Sequence, residues 1–201
     1  MTTGKPGYST AVKFHGHSCP GLAIGYRIAL AARRELHGAL SKDEEIVCFA
    51  ENDSCSVDAV QALVGCTAGK GNLVIENTGK QAFSFYSRST GKSFRIYYRR
   101  TALDSELGAK IGKLTGTKSQ TPDRKRKITV LKRKRITGIL NAPENEILVT
   151  GPVQRPVPAE ARIVNSAPCG RCGEWTMETM LRRRGALNLC PFCRRGAKKP
   201  D

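Results

Sequence analysis

AFSFYSRSTGKSFRIYYR, residues 82–99, consists of two aromatic-rich runs, AFSFYSR and SFRIYYR, joined by STGK. Aromatic and β-branched residues on either side of a short glycine-containing turn predict a β-hairpin, and hence an antiparallel strand pair. Upstream, PGLAIGYRIALAARRELH (20–37) places Leu22, Tyr26, Ala29 and Leu30 on one face of a helix closed by Arg33, Arg34 and Glu35. Proline suits the first helical position, which puts Cys19 at the N-cap. Gly21 and Gly25 lie four apart, so another backbone can approach this helix closely. IVCFA (46–50) reads as a strand, SVDAVQALVG (56–65) as a helix, GCTAGKG (65–71) as a glycine-rich loop and NLVIENTG (72–79) as a strand. Residues 102–114 are helix-like, and 128–150 mixes a strand-like ITVL, a short helix and a strand-like EILVT. Interleaved strands and helices without strict βαβ alternation predict an α+β fold with a mixed sheet and helices packed on it.

The chain of 201 residues suits one ordinary domain plus a small module. GPVQRPVPAE (151–160) reads as a linker, dividing an α+β core at 1–158 from a finger at 159–201. No apolar run approaches the roughly 20 residues of a membrane span, and MTTGKPGYSTAVKF has no hydrophobic signal core. The expectation is a soluble cytoplasmic protein without a membrane partner. In that compartment eight cysteines serve as ligands, reactive groups or packed thiols more readily than as disulfides.

Cys169-Gly-Arg-Cys172 precedes Cys190-Pro-Phe-Cys193 by 17 residues. Two CxxC pairs at this spacing predict a four-thiolate tetrahedral site, each pair turning two sulfurs toward one ion. Zinc suits it, and iron fits the same four sulfurs. With all four ligands supplied the site is closed and structural, in a treble-clef or ribbon-like finger. The intervening segment is long enough for one hairpin, and CRRGAKK can begin a terminal helix. The alternative is two disulfides or free thiols.

In the core, HGHSCPG carries His15, His17 and Cys19 at alternate positions, which an extended segment would project to one side. ENDSC adds Asp53 and Cys55, with Asp58 three residues on. A thiol at a helix N-terminus meets the positive end of the helix dipole, which favours thiolate. The cluster can hold a second metal or a small ligand; packing is the alternative for each residue. Cys48, in an apolar strand, reads as a packed thiol, and Cys66 is open between the two roles. GCTAGKG has a Gly-Lys but no following Ser or Thr, so it resembles a phosphate loop only loosely.

FHGHSCPGLAIGYR, ENDSCSVDAVQALVGCTAGKGNL and FSFYSRSTGK, in this order, resemble the E-subunit family of formylmethanofuran dehydrogenase over roughly residues 12–98. The Cys-pair module after a linker is similar to that of family members with a C-terminal zinc finger. The resemblance implies an α+β core, a homodimer, an appended treble clef, and a core site of His17, Cys19 and Cys55 with His15 and Asp53. The family takes its name from association with a molybdenum or tungsten enzyme that fixes carbon dioxide onto methanofuran. The sequence has no clustered C-x2-C-x2-C-x3-C run, so an accessory part is implied rather than the redox chemistry itself.

The net charge is +17, of which residues 101–150 contribute eleven Lys/Arg against five Asp/Glu. RKRKITVLKRKR (124–135) holds eight basic residues in twelve, read either as a strand with solvated flanks or as a polyanion-binding strip aided by Arg182, Arg183, Arg184, Arg194 and Arg195. Three functions follow. The first is a metal-binding accessory protein whose finger docks a partner. The second is a nucleic-acid-binding or regulatory protein. The third is a metal- or thiol-dependent enzyme, with Cys19 or Cys55 as nucleophile or ligand, a histidine as base and Lys70 holding an anion.

Overall fold

The structure is a computed structural model that describes residues 7–38, 40–116, 121–153, 156–157, 159–160 and 164–196. Parts of the expected linker (154, 155 and 158), the end of the expected terminal helix (197–199) and the first six residues lie outside them. The chain divides into two compact units, Met1–Ala159 and Glu160–Asp201.

The first unit is built on a five-stranded sheet of order β2-β1-β3-β4-β5, with β1 Ile46–Ala50, β2 Leu73–Ile75, β3 Ala82–Ser87, β4 Ser93–Tyr98 and β5 Leu148–Gly151. The 82–99 stretch forms the antiparallel β3–β4 pair, with Phe85 opposite Phe94 and Phe83 opposite Ile96. Strand β1 joins β3 antiparallel and β2 parallel, which makes the sheet mixed. The period of two sends Ile46, Cys48, Ala50, Phe83, Phe85, Phe94, Ile96 and Tyr98 to one side, into the main core with the helices. The opposite side carries a smaller cluster of Val47, Phe49 and Tyr86, with Val74 and Val153 against it.

Helix α1 (Tyr8–His15) stops at Gly16, whose φ of 89° lets its N–H bond the Val12 carbonyl at 2.8 Å. Helix α2 (Pro20–Glu35) starts where the sequence predicts: the Cys19 sulfur accepts the Leu22 N–H at 3.3 Å, with Pro20 in the first turn. Its buried face is mostly small (Ala23, Gly25, Ala29, Ala32), which admits α3 (Ser56–Val64) closely. A Cβ on Gly25 would lie 2.2 Å from the Ser56 carbonyl oxygen, and one on Gly21 3.2 Å from the Cys55 Cβ. The four-residue glycine spacing thus marks the α2–α3 contact.

The span 128–150 departs from expectation. ITVL is not a strand but part of α5 (Pro122–Asn141), a 20-residue helix paired with α4 (Ala102–Thr115). Three β-branched residues between charge blocks look strand-like, yet a short apolar run has no period of its own. The helix supplies one: Ile128, Leu131, Arg135 and Ile139 line a half-buried to buried stripe at spacings of three and four. Its start is present in the sequence as Thr121-Pro122-Asp123, with the Thr121 hydroxyl accepting the Arg124 N–H. Short α6 (Glu144–Ile147) then leads into β5, the strand that EILVT predicts.

The end of α5 is tied to α2 by Arg27, whose Nη1 donates to the Ile139 and Leu140 carbonyls at 2.8 Å each. These are terminal carbonyls without helical partners, and Arg27 is half-buried. Arg27→Met keeps the apolar stem and removes both bonds. The expected loss is about 2 kcal/mol, the range for hydrogen bonds to charged groups, read as a lower urea midpoint at unchanged slope.

The second unit has two short hairpins, β6 (Ser166–Pro168) with β7 (Trp175–Met177) and β8 (Arg182–Arg184) with β9 (Leu187–Leu189), closed by α7 (Pro191–Arg194). Among its described residues the buried ones are Leu189 and the cysteines 169, 190 and 193, with Cys172 and Leu181 packed beside them.

Candidate metal and thiol site

Three of the expected core residues meet where α1 ends and α2 begins. One ligand atom each from His15, His17 and Cys19 lies within 4.8 Å of the others. The sequence predicts this proximity from alternation along an extended segment, but a turn between two helices is what gathers them. His15 is the last residue of α1, Gly16 reverses the chain and Cys19 caps α2. The His15 and His17 rings lie 4.4 Å apart, and His15 Nε2 is 3.9 Å from Cys19 Sγ. Tyr8 holds the connecting loop, with its hydroxyl 3.0 Å from Ser18 Oγ and donating to the Cys19 carbonyl at 3.4 Å.

Asp58, in the first turn of α3, is the carboxylate that reaches the cluster. Its Oδ2 is 2.6 Å from His15 Nδ1, and its Oδ1 accepts Gln61 Nε2 at 3.1 Å. A carboxylate only accepts, so in the neutral ring this bond puts the proton on Nδ1 and turns the Nε2 lone pair toward Cys19, as carboxylate–histidine pairs do at metal sites. Asp53 is exposed and stands outside the cluster. Its neighbour Asn52 organises that loop, accepting from the Ser54 and Ser56 hydroxyls and donating to the Lys80 carbonyl. The distinguishing signal is position: Asp58 falls three residues after the residue that caps α3, where a side chain faces back over the helix start.

Cys55 precedes α3 and packs against Gly21. Burial, with the adjacent Cys19 thiol, raises its pKa above the ordinary value. The two remaining core thiols are packing groups. Burial pushes Cys66 up to about 12, and its Sγ donates to the Ile46 carbonyl at 3.4 Å. Cys48 is fully buried and also raised by burial. Lys70 pins the glycine-rich loop: its Nζ donates to the Ser41 and Lys42 carbonyls at 3.0 and 3.3 Å.

In the second unit, the sulfurs of Cys169, Cys172, Cys190 and Cys193 lie within 4.8 Å of one another. The knuckles aim backbone N–H groups at sulfur, Cys190 N–H to Cys169 Sγ at 3.3 Å and Cys193 N–H to Cys190 Sγ at 3.4 Å. The N–H groups of Cys172, Cys190 and Arg171 lower the Cys169 thiol to about 6. Four converging sulfurs, one already favouring thiolate, can hold a metal such as zinc.

These features define a class: an α+β protein with a His–His–Cys cluster between two helices and a four-cysteine module. The chain belongs to the FmdE family, whose sequence profile, described as "FmdE, Molybdenum formylmethanofuran dehydrogenase operon", matches residues 14–149. A protein of Archaeoglobus fulgidus, named a probable S-adenosyl-L-methionine-binding protein, is 27% identical over 191 residues, covering 91% of this chain. The chain spans about half the length of that relative, 51%. The crystal structure of a tungsten formylmethanofuran dehydrogenase FmdE-like protein from Syntrophus aciditrophicus shares the fold. Its TM-score is 0.60 at 24% identity, over 96% of this chain and 92% of that one. Among the described residues no helix is long and apolar enough to cross a membrane.

Proposed function

We propose that the chain is a metal-binding accessory protein of the FmdE type. His15, His17 and Cys19 hold a metal in the core, and a structural zinc closes the C-terminal module. The observation that carries this reading is the convergence of three donor atoms within 4.8 Å, with the far nitrogen of His15 fixed by Asp58. Three protein donors leave a coordination position for a small ligand, in contrast to the closed four-sulfur set. A homodimer, and work beside a molybdenum- or tungsten-dependent formylmethanofuran dehydrogenase, belong to the same reading. The finger serves to dock a partner, and Trp175, 75% exposed, and Phe192 give it apolar contact surface.

Elemental analysis of the full chain tests this. Two metal equivalents per chain are expected, falling to one in His15→Ala/Cys19→Ala and to one in Cys169→Ser/Cys172→Ser. A single equivalent that disappears with the finger cysteines would sink the core centre. Asp58→Asn is expected to weaken core metal affinity about 10- to 100-fold, the usual effect of losing such a carboxylate partner, while the finger equivalent stays. Competition with a chromogenic chelator measures both.

A second reading rests on the same distances. Without metal, His15 can take the Cys19 proton while Asp58 orients the ring, an arrangement suited to a nucleophilic thiol. Iodoacetamide alkylation of the metal-free chain separates the two. Cys19 labelling slowed at least tenfold by His15→Ala favours the thiol reading, and unchanged labelling removes it. Calorimetric titration with S-adenosyl-L-methionine addresses the property in the Archaeoglobus relative's name. Saturable heat abolished by the core substitutions would assign the cluster to that ligand instead of a metal.

A further inference from the structure

Helix α5 turns its apolar stripe inward and its cations outward. Lys125, Arg126, Lys127, Lys132, Arg133 and Lys134 are all exposed. Arg135 is not part of this face, because it turns in to pair with buried Asp104. Asp123 is the one acidic residue of the helix, 4.0 Å from Arg126. Across residues 102–141 the sequence holds eleven Lys/Arg and three Asp/Glu.

The arrangement works against the helix itself. Arg124, Lys125, Arg126 and Lys127 crowd the first two turns, where the positive end of the helix dipole disfavours cations. An anion laid along this face relieves that repulsion. The exposed cations form two bands, 125–127 and 132–134, seven residues apart. Seven residues span about 10.5 Å of helix, close to the axial rise of three nucleotide steps of a duplex at ~3.4 Å each.

The chemistry of the face selects the partner. A membrane-surface helix needs an apolar side to bury, and here Ile128 and Ile139 are buried inside the fold, leaving Val130 as the exposed apolar residue among the bands. Protein interface cores are enriched in aromatics and depleted in lysine, whereas α5 has no aromatic residue.

We propose that the outward face of α5 is a nucleic-acid-binding surface, gripping the phosphate backbone of a duplex through its two cationic bands without reading bases. This stands independently of the metal centre, which lies on other elements.

The test is fluorescence anisotropy of the full chain with 20-base-pair duplexes of DNA and of RNA, from 50 to 200 mM salt. Affinity should be independent of sequence. It should fall with a log–log salt slope near −5, about −0.9 for each of six contacts. Lys132→Ala/Arg133→Ala should flatten the slope by about 2 and weaken binding at least tenfold at low salt. Its melting temperature should stay unchanged, because both side chains point to solvent. Binding to either duplex supports the proposal, and the difference between them shows which is preferred. No binding at 50 mM salt overturns it. So does a double variant with unaltered affinity and slope, or equal affinity for polyglutamate or for phosphatidylserine vesicles.

Discussion

Cys190→Ser is expected to unfold the C-terminal module and leave the core standing. The reason is how little else holds that module. Among its described residues Leu189 is the one fully apolar side chain buried to 2%, with Leu181 packed beside it. A buried leucine contributes about 2 kcal/mol, while each ordered residue costs about 1–2 kcal/mol of backbone entropy. Apolar packing therefore cannot support this unit, and on the proposed reading the ion does: structural zinc contributes about 10–16 kcal/mol in small modules. Serine keeps the approximate size of the side chain and can still accept the Cys193 N–H, but it removes a thiolate ligand. In an amide NMR spectrum of the full chain, signals from residues 164–196 should collapse to the unfolded range while those of β1–β5 stay dispersed. A chelator should reproduce this in the wild-type chain, and added zinc should reverse it. Acid should act in the same direction, because the ion is held by thiolates and protonating them releases it. Dispersed module signals in Cys190→Ser would show that packing suffices and that the four sulfurs are not its keystone.

The module was legible in the sequence because its information is local: each CxxC closes a knuckle within four residues, whatever the rest of the chain does. The same holds for the 82–99 hairpin and for the Cys19-Pro20 start of α2. What the sequence hid depends on contacts far along the chain. Helix α1 opens at Gly7 without a capping side chain, so its short run YSTAVKFH carries no start signal. ITVL acquires a helical face only once α4 and α2 stand beside it. The choice of Asp58 over Asp53 is set by how α3 docks on α2, 43 residues away from His15. Alternation of His15, His17 and Cys19 suggests proximity for a reason the backbone does not use, since a glycine turn achieves it.

That docking makes Gly25→Ala a damaging single methyl in the core. The added Cβ would sit 2.2 Å from the Ser56 oxygen, 2.6 Å from its Cα and 2.7 Å from its carbonyl carbon. All three are backbone atoms at the start of α3, so no side chain can rotate away. Ser56 is further fixed through its hydroxyl to Asn52 and Gln81. Helices α2 and α3 must separate, and α3 carries Asp58. Overpacking costs about 1–3 kcal/mol when side chains can adjust. Against rigid backbone we expect at least ~3 kcal/mol, despite the gain of about 1 kcal/mol from replacing a helical glycine. For a unit of this size that lowers the melting temperature by about 6–12 °C. Gly112→Ala in α4 is the matched comparison. Nothing lies within 4 Å of its Cβ, so the helix-propensity gain stands alone and the melting temperature rises by a few degrees. The pair of variants also bears on function. Once α3 shifts, Asp58 no longer fixes His15, so Gly25→Ala should lose the core metal equivalent while keeping the one in the finger. Equal stability in the two alanine variants would mean that the α2–α3 contact is looser than its geometry. Retention of the core metal in a destabilised Gly25→Ala would detach the site from that contact and place its rigidity within the His15–Cys19 turn alone.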